Sequence, residues 1–185
     1  MDVTIDLSKV EIETERVILR PWQLTDLEDL YEYASVPGVG EMAGWPHHKS
    51  LETTKGILNM FIEEKTVLAV VDKQSQKVIG SIGFHKSWGN DDPKFQHLKL
   101  KDIGYVLSKS YWGKGLIPEA VSALIDHAFK HQWVEAFTIG HFLSNAQSRR
   151  VIEKCGFQFV KQSEYHSSQL DQTFEDMKYI LFFET

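Results

Sequence analysis

There is one cysteine in 185 residues, Cys155. A lone thiol makes no internal disulfide, and the expected compartment is a reducing one, the cytoplasm. No apolar run approaches the roughly 18 residues a membrane helix needs, so no membrane partner is expected. The opening stretch MDVTIDLSKVEIETER is acidic and lacks the apolar core of a secretory signal. Positive charge is short. Lys and Arg total 20 against 26 Asp and Glu, a net charge of −6, which suits nucleic-acid phosphates poorly. Repeats and low-complexity tracts are also missing. What is present is ordinary globular composition, 42% hydrophobic and 25% charged. The length suits one domain over residues 1–185 with a real core. A homo-oligomer is compatible with this composition.

Hydrophobic spacing sets the expected order of elements. Val17 to Arg20 reads as a strand stopped by Pro21. Thr25 and Glu28 have the spacing of a capping box, and Leu27, Leu30, Tyr31 and Ala34 form one apolar helix face. Ser50 caps a second helix with Ile57, Leu58, Phe61 and Ile62 inward. Val67–Val71 and Val78–Phe84 read as an antiparallel hairpin, and Ser87–Lys99 as a loop. Asp102–Ser108 is a strand, and Val121, Leu124, Ile125 and Ala128 mark the clearest helix. Pro118 and Glu119 stand in its first turn, where proline and acids are favoured. Ala136–Leu143 is a strand, and Asn145 opens a helix closed by Gly156. Phe157–Val160 and Phe174–Phe182 close the chain as strands. The expected class is α+β, with a parallel crossover from Asp102 to Leu143.

Two segments carry chemistry. The first is Trp112-Gly113-Lys114-Gly115-Leu116-Ile117, between strand and helix. Glycines at a helix start let backbone N–H groups approach an anion, the helix end adds about half a positive charge, and Lys114 adds a cation. The same residues also suit a plain tight turn. A P-loop is excluded because GxxxxGK[ST] is absent. A dinucleotide fingerprint is excluded because Pro118 stands where the third glycine belongs. The second segment is NAQSRRVIEKCGF, with Asn145 as N-cap and Ser148 one turn later on the same side.

Together, IGYVLSKSYWGKGLIPEAV and NAQSRRVIEKCGF resemble the GNAT superfamily of acyl-CoA N-acetyltransferases. More narrowly they are similar to the branch of the ribosomal-protein N-terminal alanine and serine acetyltransferases. ETERVILRPW and VIGSIGFHK extend the likeness over most of the chain. The resemblance implies a mixed, mostly antiparallel sheet with a central parallel strand pair, flanked by helices, and acetyl-CoA as cosubstrate. It implies that Trp112, Gly113, Lys114, Gly115, Leu116 and Ile117 meet the pyrophosphate, largely through backbone N–H. Trp112 departs from the usual Gln/Arg and Ile117 from the usual small residue. Tyr105, Val106 and Leu107 would pair with the pantetheine arm like an added strand, and Asn145 would lie beside it. The tyrosine that the superfamily often uses to protonate the leaving thiolate is here Ile152. The resemblance therefore moves that role, or the orienting of the sulfur, to Ser148.

The base stays open between Asp102, His141, Glu164 and water. Cys155, inward before a helix end, suits the core better than a covalent acyl-enzyme. His47, His48 and His85 lack zinc-like spacing, so no metal is expected. The loop Ala43–His48 is placed near the acceptor channel. The leading function is direct acetyl transfer to the α-amine of a protein N-terminus. The alternatives are a small amine acceptor, such as a polyamine, antibiotic or amino acid, and a non-catalytic acyl-CoA-binding module.

Overall fold

The computed structural model describes residues 1–183. Its strands are β1 (Ile12–Glu13), β2 (Val17–Pro21), β3 (Val67–Asp72), β4 (Val78–His85), β5 (Leu100–Leu107), β6 (Ala136–Phe142), β7 (Gln158–Ser167) and β8 (Gln172–Phe182). Its helices are α1 (Leu27–Ala34), α2 (Leu51–Glu64), α3 (Leu116–Lys130) and α4 (Ala146–Lys154). The strands form one sheet in the order β1-β2-β3-β4-β5-β6-β8-β7. Every neighbouring pair is antiparallel except β5 and β6, which are parallel. This is the α+β arrangement expected from the sequence.

Helices cover both faces, so β3 is buried at every position and β4 at all but His85. On one face α3 packs Leu116, Ala120, Val121, Leu124 and Ala128 onto Leu19, Leu68, Phe84, Ile103 and Ile139. On the other, Leu30, Tyr33 and Ala34 of α1 and Leu58 of α2 pack onto Ala69, Val71 and Val78.

The parallel ladder is short. Leu100 pairs with Ala136, Lys101 with Phe137 and Asp102 with Thr138, and there it stops. β5 runs on to Leu107 and β6 to Phe142. The strands therefore part, and among the described residues β4 is the one strand that β5 pairs with from Ile103 to Leu107. This opening is where the candidate site forms.

Several local expectations need correction. The turn before α1 is not built on Thr25 and Glu28. Leu24–Asp26 forms a 3₁₀ turn, and the Asp26 carboxylate accepts from the Gln23 N–H at 2.8 Å. Asp26 is fixed there by a two-pronged ion pair with Arg20, at 2.8 and 2.9 Å. On α1 Leu30 and Ala34 are buried as expected, but Tyr33 joins them in place of Tyr31, so the apolar face lies to one side of the expected one. Asp102 lies inside β5 rather than before it. The Ser87–Lys99 segment contains a 3₁₀ turn at Trp88–Asp91, and β7 extends to Ser167. Ser50, Asn145 and Gly156 behave as expected: the first two side chains accept from Thr53 N–H and Ser148 N–H, and Gly156 has φ +84°.

Candidate active site

The loop from β5 to α3 is held open by backbone geometry. Gly113 and Gly115 have φ +74° and +76°, a region costly for other residues. Among the described residues, the N–H groups of Gly113, Lys114 and Gly115 have no partner. Leu116 and Ile117 add the first N–H groups of α3, which a helix leaves unpaired. The result is a row of donors at a positive helix end.

Side chains around the loop brace it. Arg16 donates to the Lys114 carbonyl at 2.8 Å, and both its Nε and Nη2 lie 2.7 Å from Glu119 Oε2. Glu119 also accepts from Thr14 and from the Arg16 N–H. These bonds hold its carboxyl below the usual glutamate range. In the sequence Glu119 read only as a helix-start acid, and Arg16 was missed. Their link spans 103 positions, beyond any local pattern. Trp112 turns inward and donates its indole N–H to the Leu107 carbonyl at 2.8 Å. Its side chain therefore braces the loop. Lys114 Nζ rests 4.8 Å over the Tyr111 ring.

Across the opening, Asn145 caps α4, with Oδ1 accepting from the Ser148 N–H at 3.1 Å. Ser148 Oγ lies 2.6 Å from the Tyr105 hydroxyl, joining α4 to β5. The sequence placed Tyr105 at the site only by its backbone. The side-chain contact was hidden because it links residues 43 apart. Burial pushes the Tyr105 phenol pKa up, so it keeps its proton. Ile152, fully buried, carries no polar group toward the opening.

Cys155 is half-buried, its sulfur 3.8 Å from both Pro118 O and Ser122 Oγ. Burial raises its pKa, which keeps it a thiol. Cys155→Ala is expected to leave acetyl transfer nearly unchanged, as steady-state thiol release will show. Loss of most activity with binding intact would point to a covalent intermediate.

The face carrying α1 and α2 has a different lining. Asp102 accepts from Thr138 Oγ1 at 2.5 Å, and Thr138 in turn meets Ser87 Oγ at 2.7 Å. Burial pushes the Asp102 carboxyl up to about 6. Glycines stand on both sides of the opening. A methyl group on Gly104 would lie 2.7 Å from His85 Nε2, and one on Gly140 2.9 Å from Asp176 Oδ1. The 41–48 loop crosses to β7: Ser167 Oγ donates to the Gly44 carbonyl at 2.6 Å, and Tyr165 packs against Gly44 and Phe142.

The other base candidates lie elsewhere. His141 is buried, with Nδ1 2.8 Å from Phe142 O and Nε2 3.2 Å from the Tyr179 hydroxyl, on the α4 side of the sheet. Glu164 is exposed on β7 opposite Glu175, one residue out of phase with Ser163 and Tyr165. His47 and His48 are engaged separately, by Glu41 and Thr54. Among the described residues no group of three or more His, Cys, Asp or Glu gathers as a metal site. No helix among them is long and apolar enough to cross a membrane.

A family model described as an acetyltransferase (GNAT) domain matches residues 16–158, well over half of the chain. The chain belongs to the GNAT acetyltransferases. The match includes β5, the glycine loop and α4, the elements that border the opening. An N-acetyltransferase of Bacillus licheniformis, p20, is 29% identical over 63% of this chain and 64% of its own length. The ribosomal-protein-serine acetyltransferase of Escherichia coli K12 is 34% identical over 40% of this chain and 42% of its own. Among solved structures, a GNAT acetyltransferase from Bacillus anthracis has a TM-score of 0.80 at 22% identity, covering 94% of this chain and 98% of that one. The microcin C7 self-immunity acetyltransferase MccE, solved with acetyl-CoA and AMP, has a TM-score of 0.76 at 18% identity, covering 92% and 94%. Both structures support the fold. As a GNAT enzyme the protein transfers an acetyl group from acetyl-CoA to an amine. Its geometry fits that cosubstrate: among the described residues no strand pairs the β6-facing edge of β5 from Ile103 onward, and that edge, its Leu107 carbonyl held by Trp112, leads to the free N–H groups of the glycine loop.

Proposed function

We propose that the acceptor is the α-amine of a protein N-terminus and that it attacks acetyl-CoA directly in a ternary complex. The observation that carries this reading is that the bases bordering the opening on the α1/α2 face are a carboxylate and an imidazole, Asp102 raised to about 6 and His85 held below the ordinary histidine range, both well below any amine. An α-amine with pKa near 7.7–8.0 is roughly a tenth neutral at pH 7, whereas a lysine near 10.4 is neutral in well under about a thousandth of molecules. A site with weak bases gains most from the former. The likeness to the Escherichia coli ribosomal-protein-serine acetyltransferase agrees with it.

In this reading Tyr105, Val106 and Leu107 pair with the pantetheine arm through backbone groups. Gly113 to Ile117 hold the pyrophosphate, with Lys114 nearby, and Asn145 offers its side-chain N–H₂ to the arm while its oxygen caps α4. Ser148 meets the sulfur. A serine hydroxyl is far less acidic than a thiol, whose pKa is about 8.5, so full proton transfer from Ser148 alone is strongly uphill. Ser148 instead donates a hydrogen bond to the departing sulfur, and Tyr105, bonded behind it at 2.6 Å, strengthens that donor.

Mass spectrometry of a mixed peptide pool with acetyl-CoA tests the acceptor. Peptides beginning with Ala or Ser are expected to be acetylated at the N-terminus faster than at internal lysines. The rate should rise between about pH 6 and 8.5, because raising the pH increases the neutral amine population. Modification confined to lysines, or rapid acetylation of a small amine with peptides untouched, overturns the reading.

A further inference from the structure

We infer that His85 is the group that takes the proton from the attacking amine. This rests on the transferase reading above and adds the base that reading leaves open.

His85 is the last residue of β4, paired with Asp102 of β5. Its neighbour Phe84 points into the α3-side core, so His85 points to the opposite, acceptor side. Gly104 of β5 has no side chain, and the imidazole occupies that space. A methyl group there would meet Nε2 at 2.7 Å and Cδ2 at 2.8 Å. Gly104 is the second residue beyond the last parallel rung at Asp102, where β5 and β6 have parted. The ring thus leans across β5 toward the mouth of the opening, from the side opposite Ser148 and Tyr105. A thioester laid along the β5 edge would have a hydrogen-bond donor to its sulfur on one side and an imidazole on the other.

Three features separate His85 from its rivals. His85 remains exposed, while His141 is buried behind the sheet. Among the described residues its ring nitrogens have no hydrogen-bond partner, whereas Asp102 already accepts from Thr138 and His141 is bonded at both nitrogens. Glu164 lies out on the edge strand. The charged groups around His85 are Glu64 at the end of α2, Lys101 and Asp102 on β5, and Lys86, which is tied to Asp91. Although the side chain keeps a solvent-exposed face, its ring is packed over Gly104, and this partial desolvation outweighs the pull of Glu64 and holds the imidazole below the ordinary histidine range, so it is neutral and able to accept at neutral pH.

The step balances as follows. The amine nitrogen bonds to the thioester carbon, and its N–H proton passes to the free nitrogen of His85. The carbon–sulfur bond breaks, and the thiolate leaves against the Ser148 donor and takes its proton from water. His85 then releases its proton to solvent.

The test compares His85→Gln, His85→Ala and Asp102→Asn in pH–rate profiles, using whichever amine the wild type turns over. Both His85 variants should lower kcat by about 10²-fold with acetyl-CoA affinity unchanged by calorimetry. The acid limb, where activity falls as pH drops through the imidazole pKa, should vanish and leave only the limb of the amine. Added imidazole should restore part of the rate in His85→Ala, a rescue that a purely structural role would not show. Asp102→Asn should keep the acid limb. Wild-type kcat and profile in both His85 variants, or loss of the limb in Asp102→Asn alone, overturns the inference while leaving the transferase reading intact. Absence of turnover with every amine in the wild type overturns both. Should His85→Ala misfold, His85→Gln carries the comparison alone.

Discussion

Gly115→Glu is expected to abolish measurable acetyl-CoA binding while leaving a folded protein. The residue caps α3 with φ +76°, and its N–H is one of the free donors. A side chain in that backbone region costs about 1–2 kcal/mol, which a domain with ordinary stability survives. The charge does more. A carboxylate about 4 Å from a phosphate oxygen, at an effective dielectric constant near 20, opposes binding by about 4 kcal/mol, about a thousandfold in Kd. A second effect adds to it. A β-carbon at Gly115 would sit 3.5 Å from Arg16 Nη2, close enough to draw the guanidinium from Glu119 and loosen the loop. Gly115→Asn separates the contributions, because asparagine tolerates this backbone region and carries no charge. It should bind acetyl-CoA far better than Gly115→Glu. Calorimetry with circular dichroism as the fold check decides the matter, and wild-type affinity in folded Gly115→Glu would place the pyrophosphate elsewhere.

The elements bordering this loop were legible because their signals are local. Glycine spacing, a proline in the first helical turn and the Val121–Ala128 periodicity all lie within a few residues. So does the cap from Asn145 to Ser148. What escaped depends on distance in sequence. The start of α1 escapes because the Arg20–Asp26 pair, rather than Thr25, fixes the turn before it. The apolar pattern ends at Val160, whereas β7 continues to Ser167. The following KQSEYHS lacks apolar alternation, yet it pairs along the sheet edge with β8, where few of its side chains need burial. The N-terminal Ile5, Leu7 and Val10 give no local signal. They are buried against the α3-side core without forming a regular strand, so alternation alone gave no strand ends to recognise. The site divides in the same way. Its backbone parts were readable from glycines and strand limits, and its side-chain pairs were not. Tyr105 with Ser148, Arg16 with Glu119 and His85 over Gly104 are made only when the sheet assembles.

The Tyr105–Ser148 pair gives the other large effect. Ser148→Ala removes the hydroxyl proposed to meet the sulfur and should lower kcat by about 10²–10³-fold, the usual loss of a donor aimed at developing charge. Acetyl-CoA affinity should change little, because the donor matters most when the sulfur becomes a thiolate. Tyr105→Phe keeps the ring in the core but removes the phenol proton. Its expected cost is smaller, about tenfold or less, the worth of one neutral hydrogen bond. The two changes should not add. Once Ser148 is gone, Tyr105 has nothing to polarise, so the double variant should turn over no more slowly than Ser148→Ala alone. A cycle of four enzymes, measured where chemistry limits turnover, reads this coupling directly. Full additivity would mean that the hydroxyls act separately. An unchanged kcat in Ser148→Ala would remove both from the reaction and leave the thiolate to depart unaided, which a leaving group with pKa about 8.5 tolerates near neutral pH.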